Sequence, residues 1–219
     1  MWELLQHWDQ TLFLAINGAH CPWADRFVAL FANKMTWGPM YVALLFALCK
    51  NRDWKSALAA VAAFLLLVVL SDQLTSHLIR PLVARPRPSR AEGLQDVVHL
   101  INGRRGGAFG FPSAHAANTA ALAALVTLVY RHKLLSLFLV AWTLLTCHAR
   151  VYAGVHYPGD VLAGVCLGVL VALLVRALYR KLLDRFPPLA PRGRPPLSLV
   201  AAVGATTALL VALHATLAP

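Results

Sequence analysis

The sequence predicts an all-α fold: a polytopic membrane helix bundle of about six transmembrane helices, with an N-terminal helix lying in the interface. Three observations predict it. Of the 219 residues, 59% are hydrophobic and only 13% charged, too little polar surface for a soluble domain of this length. Mean hydropathy is +0.63. Several apolar runs approach the ~20 residues that cross a bilayer, and they are separated by short polar loops.

The elements follow in order. Residues 2–17 place Trp2, Leu4, Leu5, Trp8, Leu12 and Phe13 against Glu3, Gln6, Asp9 and Gln10. That spacing predicts a short amphipathic helix on the membrane surface, with its polar residues toward water. Asn17-Gly18 ends it. The first span covers 27–49, although Lys34 falls in its first half. The second covers 55–79 and includes the apolar run 58–70. Residues 81–111 are rich in Arg, Pro and Gly and cannot cross lipid. The third span starts near Pro112 and ends before Arg131; the fourth covers 134–149 and the fifth 158–179. A basic, proline-rich loop at 180–196 precedes the last span, 197–217. No repeat at a solenoid period is present, so residues 1–219 are read as one domain.

Net charge is +11. There is no base-reading motif, and the arginines sit in short loops and beside the motifs described below, so the anionic partner is lipid rather than nucleic acid. Lys50, Arg52, Lys55, Arg131, Lys133, Arg180, Lys181, Arg185, Arg192 and Arg194 share one side and mark it as cytoplasmic. The opposite side, with 81–111 and 150–157, is also arginine-rich. Those arginines then read as a functional cluster rather than as topology signals. Glu3 and Asp9 stand where a signal peptide would be basic, so residues 1–20 are expected in the mature protein. Cys21, Cys49, Cys147 and Cys166 form no CxxC pair and are expected as small buried hydrophobes, with no disulfide framework and no zinc site. Trp2, Trp8, Trp23, Trp37 and Trp54 are expected as interfacial anchors.

Three separated fragments carry the chemistry: Arg80-x6-Arg87-Pro88, Pro112-Ser113-Ala114-His115, and Arg150-x5-His156-x3-Asp160. Together they supply what phosphoryl transfer needs: cations for phosphate oxygens, a helix start with free amides, and two histidines with a carboxylate. Pro112 suits a first helical position, which leaves the amides of Ser113, Ala114 and His115 pointing out of the helix. Pro158 opens the fifth span, with His156 just before it and Asp160 in its first turn. A carboxylate there fixes the tautomer of the imidazole. Each fragment alone has an ordinary structural reading: a chance His-x3-Asp, a plain helix start, a headgroup patch. Their joint occurrence at one face of the membrane favours a site.

The chain resembles the type 2 phosphatidic-acid phosphatase superfamily of membrane lipid phosphatases. That family's pattern is Lys-x6-Arg-Pro, then Pro-Ser-Gly-His, then Ser-Arg-x5-His-x3-Asp. Here Arg80 replaces the lysine, Ala114 the glycine and Ala149 the serine; the other motif positions match. Arg80 keeps the cation and adds a fork, and Ala114 keeps its backbone amide. The resemblance implies that His156 attacks phosphorus to form a phosphohistidine, that Asp160 orients it, and that His115 protonates the leaving oxygen and then activates water. It implies that Arg80, Arg87, Arg150, Ser113 and the Ala114 amide hold the phosphate.

No cofactor and no metal is expected. The motifs contain one carboxylate, fewer oxygen ligands than magnesium usually takes, and Glu92 and Asp96 read as solvated loop charges. Asp72, within the second span, is expected to make a structural hydrogen bond, to His148 or another inner polar group, rather than to act in catalysis. His77 and His148 read as polar packing. The expected substrate is a lipid phosphate or diphosphate at the outer, periplasmic face of a bacterial inner membrane. Undecaprenyl diphosphate ranks first, with phosphatidylglycerol phosphate and lipid A phosphates following. A lipid phosphotransferase and a non-catalytic lipid-binding protein remain as other classes. Release of free phosphate discriminates against the first, and loss of function in His156→Ala against the second. The oligomeric state is not legible.

Overall fold

The computed structural model describes residues 2–51, 53–185 and 196–217. Arg52, Arg192 and Arg194, three of the cations that set the predicted orientation, lie outside the described residues.

Helix α1 (Trp2–Gly18) is followed by α2 (Pro22–Phe31), α3 (Gly38–Cys49) and α4 (Trp54–Asp72). A wider π-helical segment, Gln73–Ile79, joins α4 to the single turn α5 (Arg80–Val83), so that Trp54–Val83 is one 30-residue rod. The loop that follows carries two 3-10 turns, Pro88–Arg90 and Ile101–Gly103. Then come α6 (Ala114–Tyr130), α7 (Lys133–Tyr152), α8 (Pro158–Arg185) and α9 (Leu197–Leu217). Four of these helices are long and apolar enough to cross a bilayer, and Lys34–Cys49 and Ala114–Tyr130 are shorter apolar helices. The protein is an all-α integral membrane bundle, as the sequence predicts.

The first predicted span is not one helix. The chain breaks at Ala32 and Asn33, where the Asn33 side chain accepts from the Met35 amide and a 3-10 turn, Lys34–Trp37, re-aims it into α3. An Asn able to bond the backbone locally competes with helix continuation. Trp37 is not an interfacial anchor. It is buried, donates its indole N–H to the Phe31 carbonyl at 2.8 Å and packs edge-on against Phe31 and Trp142. The cysteines also depart from expectation: Cys21, Cys49 and Cys166 are exposed, Cys147 is partly covered, and all are free. Apolar runs in a membrane protein bury their residues in lipid as readily as in protein.

The tightest pairing in the bundle is α6 against α8. Small residues make it possible. Gly164 and Gly168 of α8 face Ser113, Ala116, Ala117 and Ala121 of α6; a Cβ on Gly164 would stand 2.5 Å from the Ser113 carbonyl oxygen, and one on Gly168 would strike the backbone of Ala117. Between apolar helices in lipid, such close backbone approach is the main source of attraction. The opposite face of α8 (Leu162, Leu170, Leu174) is open to the hydrocarbon. This contact sets the start of α6 beside the start of α8, and thereby places the site.

Candidate active site

The rod Trp54–Val83 brings the first cation. Its π segment contains Thr75, whose hydroxyl bonds the carbonyls of Ser71 and Asp72. A π turn inserts extra backbone and resets the face that later residues present. Arg80 follows directly. Its guanidinium donates to the Pro112 carbonyl at 3.1 Å and reaches the Ser76 hydroxyl at 3.4 Å, and Ser76 in turn lies 3.4 Å from an oxygen of Asp72. Asp72 makes a side-chain hydrogen bond within its own helix.

The second cation comes from the segment Arg85-Pro86-Arg87-Pro88. A residue before proline is driven out of the α region into extended backbone, and Arg87 has φ −69° and ψ 156°. Extended backbone puts side chains i and i+2 on one face. The segment is held by the Arg87 amide to the Ala108 carbonyl (3.2 Å) and the Gly110 amide to the Arg85 carbonyl (2.9 Å). Both guanidinium groups reach residues 155–160. Arg87 donates to the Val155 carbonyl (2.8 Å) and lies 3.1 Å from Nε2 of His156.

The helix ends supply the rest. Ala114, not Pro112, is the first residue of α6, and Ser113 caps it: its hydroxyl faces the Ala116 amide, and its own amide donates to the Asp160 carbonyl at 2.9 Å. The predicted free amide at Ser113 is therefore occupied, because α8 is close enough to take it. Those of Ala114 and His115 remain in the first turn, where a helix offers no partner of its own. His115 and Arg150, from the end of α7, line one cavity of about 610 Å³. Pro158 starts α8, as predicted.

His156 is 1% exposed and Asp160 wholly buried. Nδ1 of His156 stands 3.5 Å from Oδ2 of Asp160 without a hydrogen bond between them, and Oδ2 accepts the Tyr157 amide at 3.0 Å. An arginine can only donate. The Arg87 contact therefore makes Nε2 the acceptor, leaves the proton on Nδ1 facing Asp160, and aims the one in-plane lone pair at the cations. Burial, with Arg87, Arg150 and Arg80 nearby, holds His156 well below its ordinary pKa of 6.5, so the ring is neutral at pH 7. Burial and Arg80 lower Arg87 to about 10, still charged at that pH. The Nε atoms of Arg80, Arg87 and Arg150 are buried without a hydrogen-bond partner among the described residues. Buried donors are normally satisfied; three such guanidinium groups around one imidazole fit an anion.

Thus Arg80, Arg87, Ser113, Ala114, His115, Arg150, His156 and Asp160 meet at one end of the bundle. Sequence reasoning missed Arg85 and Asp9. Arg85 bonds Asp160 at 2.8 Å and Asp9 at 2.6 Å, and Asp9 also accepts the Gly159 amide at 2.6 Å. Asp9 does not point to water, as the amphipathic pattern suggested. The alternation of Arg and Pro was a signal for Arg85; nothing local marked Asp9. Gly110 was missed as well: a Cβ there would come within 2.9 Å of Asp160 Oδ2.

A polytopic helical bundle with this cationic, two-histidine site at its end is the architecture of a membrane lipid phosphatase. Residues 61–184 match the PAP2 superfamily, and the chain belongs to it. It is 43% identical over 186 residues to a lipid A 4'-phosphatase of Bacteroides thetaiotaomicron, covering 84% of this chain and 83% of that one. It is 36% identical over 177 residues to a lipid A 4'-phosphatase of Porphyromonas gingivalis, covering 81% and 75%. The crystal structure of Aquifex aeolicus LpxE superposes with a TM-score of 0.56 at 30% identity, over 76% of this chain and 93% of that one. The protein is a lipid phosphatase.

Proposed function

We propose that this enzyme removes the 4'-phosphate of a lipid A-type glycolipid, through a phosphohistidine, at the periplasmic face of the inner membrane. The observation that carries the chemistry is the set of three arginines, Arg80, Arg87 and Arg150, each with a buried Nε lacking a partner among the described residues, near the neutral His156. In the first step Nε2 of His156 bonds phosphorus in line while the P–O bond to the sugar breaks, and His115, protonated beside the bound phosphate anion, gives its proton to the departing oxygen. In the second, water attacks phosphorus, His115 takes a proton from it, and the P–N bond breaks to release inorganic phosphate. Arg80, Arg87, Arg150, the Ser113 hydroxyl and the Ala114 amide hold the equatorial oxygens, where charge must be stabilised. Asp160 keeps the His156 proton on Nδ1.

The substrate choice shifts from undecaprenyl diphosphate, ranked first by sequence, to the lipid A alternative. The two lipid A 4'-phosphatases above, similar over most of the chain, support this. So does the shape of the site. The cavity over His115 and Arg150 holds about 610 Å³, room for a drug-sized group, and one phosphate fills little of it. Its outer wall carries Asn33, Lys34, Asn102 and Arg104 and no carboxylate, which suits a large, anionic, hydroxyl-rich headgroup.

Phosphate release by purified protein from lipid A, phosphatidylglycerol phosphate and undecaprenyl diphosphate tests the reading. Lipid A should give the highest kcat/KM, and His156→Ala should release nothing while remaining folded. A clear preference for undecaprenyl diphosphate would return the first-ranked choice, and turnover by His156→Ala would end the mechanism.

A further inference from the structure

We propose that Asp9 and Arg85 are positioning residues for the catalytic carboxylate, which makes α1 a working part of the active site rather than only an anchor on the membrane surface. The inference rests on the roles given above to His156 and Asp160.

Asp160 is wholly buried. A carboxylate removed from water needs a cation or several donors, and its two oxygens divide the task. Oδ2 takes the Tyr157 amide and faces His156; Oδ1 takes Arg85 at 2.8 Å. Arg85 thus fixes the rotation of the carboxylate that faces the nucleophile. Arg85 needs fixing in turn. Its long stem ends beside a pocket built for phosphate, and a loose guanidinium there would swing toward the anion and leave Asp160.

Two contacts prevent that. The guanidinium lies over the Tyr157 ring, 4.1 Å from its centroid, a cation–π arrangement. Its second terminal nitrogen is bonded by Asp9 at 2.6 Å. Asp9 is itself clamped, because its other oxygen accepts the Gly159 amide at 2.6 Å. That amide lies in the first turn of α8, where the helix leaves donors unpaired. Gly159 leaves room for this approach; a Cβ would come within 2.8 Å of Asp9.

Asp9 does not act alone on α1. It is the first of three inward residues spaced four apart, one stripe of a helix. Phe13 is fully buried and meets Tyr157 edge-on at 5.5 Å. Asn17 is buried and bonds the Tyr152 carbonyl and both backbone groups of His99. Leu4, Leu5, Trp8 and Leu12 are exposed and apolar, and the last three flank Asp9, lining one groove with it and Arg85. The stripe of Asp9, Phe13 and Asn17 is seated on the site, and its apolar flank is offered to the bilayer.

The test is a kinetic cycle of Asp9→Asn, Arg85→Gln and the double variant, with His156→Ala alongside, in the full-length purified protein. Each single variant should lower kcat at least about tenfold with KM within about twofold, since the phosphate contacts remain. The double variant should be no slower than Arg85→Gln alone, because Asp9 acts only through Arg85. Melting temperature in detergent checks folding. Asp9→Ser, which keeps an acceptor for the Gly159 amide, is the second route to the same comparison if Asp9→Asn does not fold. Wild-type kcat in a folded Asp9 variant, strictly additive losses, or a rise in KM with kcat retained would each overturn the inference. An inactive His156→Ala beside a fully active Asp9 variant sinks this inference alone. Turnover by His156→Ala sinks the site reading beneath it.

Discussion

The proposed nucleophile, His156, needs a neutral ring, and its surroundings enforce that state. Burial comes first, then Arg87, Arg150 and Arg80. The same environment has a consequence for stability. The unfolded chain binds a proton at His156 near its ordinary pKa of 6.5, whereas the folded site refuses it until well below that. The unfolded state therefore holds more protons in between, and stability falls as pH drops below about 6.5. The melting temperature should be nearly flat above that point and decline on acidification. His156→Gln should flatten the decline; an equally steep decline in that variant would assign the effect elsewhere. Asp160→Asn keeps the shape beside His156 but loses the charge and the choice of tautomer. Its phosphate release should fall by roughly the 10⁴-fold seen when a catalytic triad loses its carboxylate in this way, with the fold intact. A loss under about tenfold would remove Asp160 from the mechanism.

The elements that matter most are α6, α8 and the rod Trp54–Val83. Gly164 and Gly168 let α8 lie close enough to α6 for the Ser113 amide to reach the Asp160 carbonyl. Gly168→Ala puts a methyl group into the Ala117 backbone, and overpacking of this kind costs about 1–3 kcal/mol. The variant should melt lower and also lose activity, because the two helix starts that carry His115 and Asp160 would separate. Unchanged melting and turnover would show that the approach is not tight. The site was legible at this scale in part. Pro158 and the start of α6 near Pro112 could be read from local chemistry. The break at Asn33 and the π segment Gln73–Ile79 could not, because apolar runs look continuous whether or not the backbone inside them changes pitch.

At the scale of the molecule, the site is an arginine-lined pocket under a broad cavity at one end of an apolar bundle. If guanidinium groups stabilise the transferring phosphoryl group, activity should persist in excess EDTA, and vanadate should inhibit by forming a trigonal bipyramid on His156. Full loss on chelation, restored by magnesium, would point to metal-held phosphate instead. The outer wall of the cavity should govern choice of substrate. Lys34→Ala with Arg104→Ala is expected to raise KM for lipid A several-fold while leaving hydrolysis of a small soluble phosphomonoester unchanged. Equal effects on both substrates would remove the wall from headgroup recognition.

The sequence by itself determined the membrane class, the bundle, the family and the motif residues, because hydropathy and helix-start chemistry are local and the motifs are short. It also marked Lys34 and Trp37 without revealing their places: one lines the cavity above the site and the other sits in the core. Only the tertiary structure decided what surrounds His156 and Asp160. Asp9, Arg85, Gly110 and Asp160 lie on four separate segments, and their meeting depends on how α1, the Arg-Pro-Arg-Pro segment, the loop at Gly110 and α8 converge. An amphipathic pattern says which residues of a helix are polar. It does not say whether a given carboxylate faces water or an arginine, because that choice is made by a partner far away in the chain.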